Sequence, residues 1–156
     1  MRITSYAVEI DEDRKPLLVK QNAVNYEKKH LKTPEDVSEM MRSVFRLHKR
    51  AEEFLFAVCM DAKLKVIGVF EVTHGMINKT IANPREVYQR ALLCGAYSIV
   101  LVHNHPSGDT EPSNDDVRVM REMRKAGDMI GVKFHDSIII GEDGFYSFEE
   151  NGMIDD

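Results

Sequence analysis

The tightest constraint on the fold is the run Tyr97-Ser98-Ile99-Val100-Leu101-Val102. Six consecutive residues without a charge, bounded by Gly95 and a polar loop, read as a strand buried on both faces. Such a strand needs a layer of structure on each side of it. The neighbouring segments provide candidates. Pro84 opens a helix in which Val87, Ala91 and Cys94 share a stripe, and Gly95 ends it. After the polar loop His103–Pro112, the spacing predicts a helix over about 114–129. Val132–Ile140 then reads as a further strand, and Gly141-Glu142-Asp143-Gly144 as a turn into a short return strand, Phe145–Phe148.

Upstream, residues 1–10 alternate in a strand-like way, and residues 11–32 are polar and charged. The latter read as a loop or irregular arm, with room for a short strand at Leu17–Lys20. Thr33-Pro34-Glu35-Asp36 is a helix start: a capping hydroxyl, a proline at the first helical position and an acidic first turn. Val37, Met40, Met41, Val44 and Phe45 then fall on one face, and the pattern extends to about residue 50. Phe54–Met60, the turn Asp61-Ala62-Lys63 and Leu64–Thr73 read as a hairpin. The order is β, α, β, β, α, β, α, β, β. Helices both precede and follow the central hairpin, so the fold class is α/β (α+β), a mixed β-sheet flanked by helices. The chain divides into an N-terminal strand and arm (1–36), a main domain (37–150) and an acidic tail (151–156). Residues 141–156 carry six acids and no Lys or Arg, which predicts a solvated end.

Composition narrows the function classes. The length of 156 residues suits one domain and is too short for a TIM barrel. A formal net charge of −5 gives no general affinity for nucleic acid or anionic membrane. No apolar run approaches the roughly 18–20 residues of a membrane span, and no signal peptide is visible at the start. Cys59 and Cys94 each sit in an apolar run and read as free thiols in a reducing cytosol, so a cytoplasmic location is expected.

The stretch that carries chemistry runs from His103 to Asp116. His103 and His105 are two apart at the end of an apolar strand, so both imidazoles can point to the same side and reach one ion. Pro106 keeps His105 out of helical conformation. Asp116 shares a helical face with Met120, Met123 and Ile130, which turns its carboxylate inward, where it needs a partner charge or a metal. Two imidazoles and a carboxylate on Zn²⁺ leave one position open, as catalytic zinc sites do. A metal-bound water would need a base to take its proton. Glu71 is the only acid between Lys65 and Lys79 and sits inside a predicted strand, so it is the candidate. Bland readings compete with these. Ser113-Asn114-Asp115-Asp116 also fits a capping box, and Glu71 could simply face solvent.

Taken together, an upstream strand Glu followed by H-x-H-x₁₀-D with Ser three before the Asp resembles the JAMM/MPN metalloprotease signature. His103-Asn104-His105-Pro106-Ser107-Gly108-Asp109, then Pro112-Ser113, is similar to its RadC-like branch, as is Asn83-Pro84-Arg85-Glu86-Val87. The resemblance covers roughly residues 37–150. It implies the JAMM/MPN, cytidine-deaminase-like architecture with one Zn²⁺ per chain held by His103, His105 and Asp116. It also implies Glu71 as general acid/base, Ser113 as a donor to the oxyanion, and hydrolysis of a peptide or isopeptide amide in a peptide or protein substrate. The helix-hairpin-helix region usual in RadC proteins is not found in residues 1–36, and Asp136-Ser137 stands where the family often has Asp-His. The alternative is a DNA-associated repair or accessory protein with a structural or vestigial metal site. It could draw on the basic residues Lys28, Lys29, Arg42, Arg46, Lys49 and Arg50. The letters His103-Asn104-His105 do not make an HNH nuclease, whose motif names residues spread over a ββα unit.

Overall fold

A computed structural model describes residues 1–75 and 82–154. Seven strands form one mixed sheet in the order β2-β1-β4-β3-β5-β6-β7. They are β1 (Arg2–Ile10), β2 (Pro16–Asn25), β3 (Glu53–Met60), β4 (Val66–Gly75), β5 (Ser98–Asn104), β6 (Lys133–Ile140) and β7 (Phe145–Ser147). Three helices cover it: α1 (Pro34–Phe45), α2 (Pro84–Leu93) and α3 (Asn114–Ile130). The expected α/β class with a helix-flanked mixed sheet is therefore observed. β5 and β6 run parallel, joined by α3, because a parallel pair needs a crossover long enough to return the chain to the same edge. β3 pairs antiparallel with both β4 and β5, which places β3 at the sheet's centre.

Alternation along the central strands builds two cores. Leu55, Ala57 and Cys59 of β3 join Ile99 and Leu101 of β5 beneath Val87, Tyr88 and Ala91 of α2 and Met120 and Met123 of α3. Phe56, Val58 and Met60 join Val100 and Val102 beneath Val37, Met40 and Met41 of α1. β5 is buried along its whole length, as its uncharged run requires. Each fully buried aliphatic side chain contributes about 1.5–3 kcal/mol, so the two faces together hold the central strands firmly.

Local signals set the helix ends. Thr33 caps α1 through a complete capping box with Asp36, and Pro34 takes the first turn. The helix stops sooner than its periodicity suggests. Arg46 adopts a left-handed conformation (φ 51°), and Leu47–Lys49 forms a separate 3₁₀ turn that buries Leu47.

Two expectations need correction. The segment 11–32 is not an irregular arm: Pro16–Asn25 is a ten-residue strand paired with β1 from Arg2–Asn25 to Ile10–Pro16. It lies at the edge of the sheet and is mostly exposed, so it lacks the apolar alternation that marks a half-buried strand. The C-terminal stretch is not simply solvated either. Phe148 and Ile154 are buried in the α2/α3-side core, and the Met153 N–H donates to the Phe148 carbonyl, folding the chain back. Asp155 and Asp156 of the acidic tail lie outside the described residues.

Candidate metal centre

The centre forms where the C-terminal end of β5 meets the N-terminus of α3. His103 belongs to the face of β5 that carries Ile99 and Leu101, so its ring lies on the α3 side. His105 follows one residue past the strand, tied to β6 by its N–H to the Ile140 carbonyl (3.0 Å). Asp116 is in the first turn of α3. Its backbone N–H donates to Ser113 Oγ (3.1 Å), and its Oδ2 accepts the Ser113 N–H (2.9 Å), so a complete capping box orients the carboxylate. The cap and the inward carboxylate are one arrangement, not alternatives.

The three groups converge. His103 Nε2 lies 3.2 Å from Asp116 Oδ1, His105 Nε2 lies 3.2 Å from Asp116 Oδ2, and the two Nε2 atoms are 3.2 Å apart. The side chains of His103 and Asp116 are only 6% and 7% exposed. Burial pushes the Asp116 carboxyl up. The hydrogen bonds from His103 and His105 outweigh it and hold the carboxyl well below the usual carboxylate range. The Asp116 carboxylate in turn raises His105, against the effect of burial.

A carbonyl can only accept, so His105 Nδ1 donates its proton to the Asp109 carbonyl (2.8 Å). With that proton on Nδ1, the neutral ring turns the Nε2 lone pair to the cluster, the tautomer a metal ligand needs, and Nε2 donates to Asp116 only when the ring is protonated. The loop holding Asp109 is braced from outside. Glu142 N–H donates to the Gly108 carbonyl (3.1 Å), and Arg42 of α1 donates to the carbonyls of Gly141, Glu142 and Gly144. Gly141 is required at this contact, because a Cβ there would stand 2.5 Å from the Gly108 oxygen.

The fourth member is an acid that sequence reasoning missed. Glu53, the first residue of β3, brings Oε1 to 3.8 Å from His105 Nε2 and 4.0 Å from His103 Nε2. Among the described residues, Glu53, His103, His105 and Asp116 form a group able to hold a metal, with all four ligand atoms within 4.8 Å of one another. Glu71, the expected acid, is not in it. Its side chain is 48% exposed and 3.9 Å from His74. The cause is a slip in the β3–β4 ladder. Leu55 pairs with Thr73 but Phe56 pairs with Glu71, leaving Val72 without an opposite residue. The slip turns Glu71 to the face of Phe56, on the α1 side, away from the imidazoles. One signal could have identified Glu53: period-2 alternation carried back from Ala57 and Leu55 puts it on the face of Cys59. Ser113 touches the group only through Asp116, and its Oγ is occupied as the acceptor of the cap.

The donor set fits a zinc ion. Ligands about 2.0–2.1 Å from a tetrahedral centre stand about 3.3 Å from one another. Each imidazole Nε2 stands 3.2 Å from the other and 3.2 Å from one Asp116 oxygen, Oδ1 for His103 and Oδ2 for His105, close to that edge length, and Glu53 stands farther off.

A mixed sheet with helices on both faces and an inward His-x-His/Asp cluster at one strand end defines an α/β domain with a group that could hold a metal ion. Comparison with known proteins agrees: the chain belongs to the RadC-like JAB domain family, which it matches over residues 31–153. It is 38% identical over 122 residues to a UPF0758 protein of Geotalea uraniireducens, covering 78% of this chain and 53% of that protein. It is 41% identical over 119 residues to a UPF0758 protein of Chlorobium phaeovibrioides, covering 76% and 52%. The chain thus spans about half the length of the curated relatives it matches. The β1–β2 hairpin precedes the matched region yet continues the same sheet. No helix of the described residues is long and apolar enough to cross a membrane.

Proposed function

We propose that the chain is a zinc-dependent hydrolase of peptide or isopeptide bonds, in which His103, His105 and Asp116 hold one ion and Glu53 does the proton work. The observation that carries this reading is the spacing. The two imidazole Nε2 atoms lie 3.2 Å from each other and each lies 3.2 Å from one oxygen of the Asp116 carboxylate, and a less buried carboxylate stands 3.8–4.0 Å from the two imidazoles. Zinc at such a site supplies Lewis-acid polarisation of the scissile carbonyl and a water acidic enough to ionise near neutral pH.

The chain's own groups do the rest. The Nδ1–H bond to Asp109 keeps His105 in the ligating tautomer. The cap from Ser113 fixes the Asp116 carboxylate. Glu53 Oε1 takes the proton of the attacking water and returns it to the leaving amine, which restores the carboxylate at the end of each turnover. The side chain of Glu53 is 23% exposed, which leaves a substrate a path to it. Ser113 Oγ accepts the Asp116 N–H with a lone pair, so its own hydrogen is available to the developing oxyanion.

Glu53→Gln tests the assignment against Glu71→Gln. In a screen over peptide and isopeptide substrates with the zinc-loaded chain, Glu53→Gln should retain about one zinc per chain and lose about 10²–10⁴-fold in kcat. Glu71→Gln should match the parent. Loss of turnover in the Glu71 variant alone would reverse the assignment. Duplex DNA affinity that falls with salt and survives zinc removal, without amide cleavage, would favour the accessory-protein alternative.

A further inference from the structure

Asn104 stands between the two imidazoles in sequence, is 2% exposed, and yet takes no part in the cluster. It sits at the point where the pairing of β5 with β3 gives out: the ladder runs from Leu55–His103 to Met60–Ser98. Beyond that end, the Asn104 side chain continues the connection. Its Oδ1 accepts the Phe54 N–H at 2.7 Å, and its Nδ2 donates to the Glu52 carbonyl at 2.9 Å and, more weakly, to the Arg50 carbonyl at 3.4 Å.

The two short bonds fall on the two peptide groups that flank the Glu53 Cα. The first holds the Glu53–Phe54 amide, and the second holds the Glu52–Glu53 carbonyl. One amide side chain thus fixes the backbone on both sides of the acid. It does so from the strand that also carries His103, so the acid and the imidazoles share one reference frame. No shorter polar side chain could match it, because the contact needs an acceptor and a donor at the end of one planar group.

We infer that Asn104 is the positioning residue for Glu53. It holds the carboxylate at its distance from the imidazoles without touching the reacting atoms. The catalytic sense of this inference rests on the hydrolase reading above; the structural sense does not.

The experiment uses the full chain, with and without Zn²⁺, and compares Asn104→Ala with the parent by NMR. Amide exchange at Phe54 should accelerate about ten-fold or more, because a buried N–H loses its acceptor. The Glu53 carboxyl ¹³C resonance should move, while the ring ¹⁵N resonances of His103 and His105 stay in place. Zinc affinity should change by less than about three-fold, where loss of a group that orients a ligand costs about 10–100-fold. If the alanine chain does not fold, Asn104→Ser is read in the same way.

Unchanged exchange at Phe54 overturns the inference. So does a fall in zinc affinity accompanied by movement of the imidazole resonances, since Asn104 would then support the ligand strand instead of the acid. Failure of the parent chain to bind zinc would sink the hydrolase reading alone. The Phe54 and Glu53 resonances of the metal-free chain would still decide the role of Asn104.

Discussion

Asp116 performs two tasks that substitutions can separate. Its Oδ2 accepts the Ser113 N–H at 2.9 Å as half of a capping box, and its two oxygens lie 3.2 Å from His105 and His103. Asp116→Asn keeps an oxygen for the cap and loses the charge. Asp116→Ala loses both. Urea unfolding, measured in excess chelator and again in zinc, reads the two tasks independently. In chelator, the alanine chain should be less stable than the asparagine chain by about 1 kcal/mol, the value of the capping hydrogen bond. In zinc, the relevant quantity is the gain each chain makes over its own metal-free state, which cancels the cap. At a concentration 100 times its dissociation constant, the parent should gain about 2.7 kcal/mol. Removing one ligand should weaken binding at least as much as the upper end of an outer-shell defect, about 100-fold. A 100-fold weaker chain at the same zinc concentration gains only about 0.4 kcal/mol. Both variants should therefore lose about 2.3 kcal/mol of zinc-dependent stability. An Asp116→Asn chain that kept the full gain would falsify the ligand assignment and leave Asp116 as a helix cap.

Ser113→Ala should lower kcat of the zinc-loaded chain by about 10²–10³-fold if its hydroxyl serves the oxyanion, and Ser113→Thr, which retains hydroxyl and cap, should recover most of it. Equal rates in all three would reduce Ser113 to a cap. Gly127 of α3 packs so closely that a Cβ would stand 2.5 Å from the Val132 carbonyl oxygen and 2.6 Å from the Tyr88 hydroxyl. Gly127→Ala should therefore destabilise by about 1–3 kcal/mol in urea, despite alanine's better helix propensity, and a neutral result would mean that the α2–α3 contact yields. Burial pushes the Asp136 carboxyl up to about 6, only partly opposed by hydrogen bonds from Ser147, Glu149 and Ser137. The folded chain therefore holds that proton more tightly than the unfolded chain, whose aspartates titrate near about 3.9. The resulting stability is fully present below about pH 4 and is lost as pH rises through 6, a change on the order of 3 kcal/mol. The lowered carboxyls of Asp36, Asp61 and Asp116 act at lower pH, whereas His48 and His135, lowered by burial, add a contribution of opposite sign as pH falls below 6.5. Asp136→Asn should remove the falling contribution and leave that of the histidines, so the stability difference between variant and parent should change across pH 4–6, and a constant difference would place the titration elsewhere.

The features legible in the sequence were those carried by neighbouring residues. Thr33, Pro34 and Asp36 announced α1, and Ser113 with Asp116 announced α3, because a cap involves residues within one turn. The uncharged run before His103 announced a doubly covered strand, because burial on both faces leaves no place for a charge. β2 was not legible, since an exposed edge strand takes its form from pairing with β1 and needs little apolar surface of its own. The end of α1 was missed because Arg46 reverses the chain in a left-handed conformation while the apolar stripe runs on past it.

The choice between Glu53 and Glu71 shows where local reading stops. Both acids lie on strands of the central hairpin, and each is two residues from an apolar neighbour on its own face. Which one meets the imidazoles depends on the pairing of β3 with β4 and β5, and a slip of one residue at Val72 sends Glu71 to the opposite side of the sheet. By itself the sequence determined that His103, His105 and Asp116 would face one point, because strand and helix periodicity are properties of adjacent residues. Only the tertiary structure decided which acid joins them, because strand register is settled by contacts between segments distant in the chain.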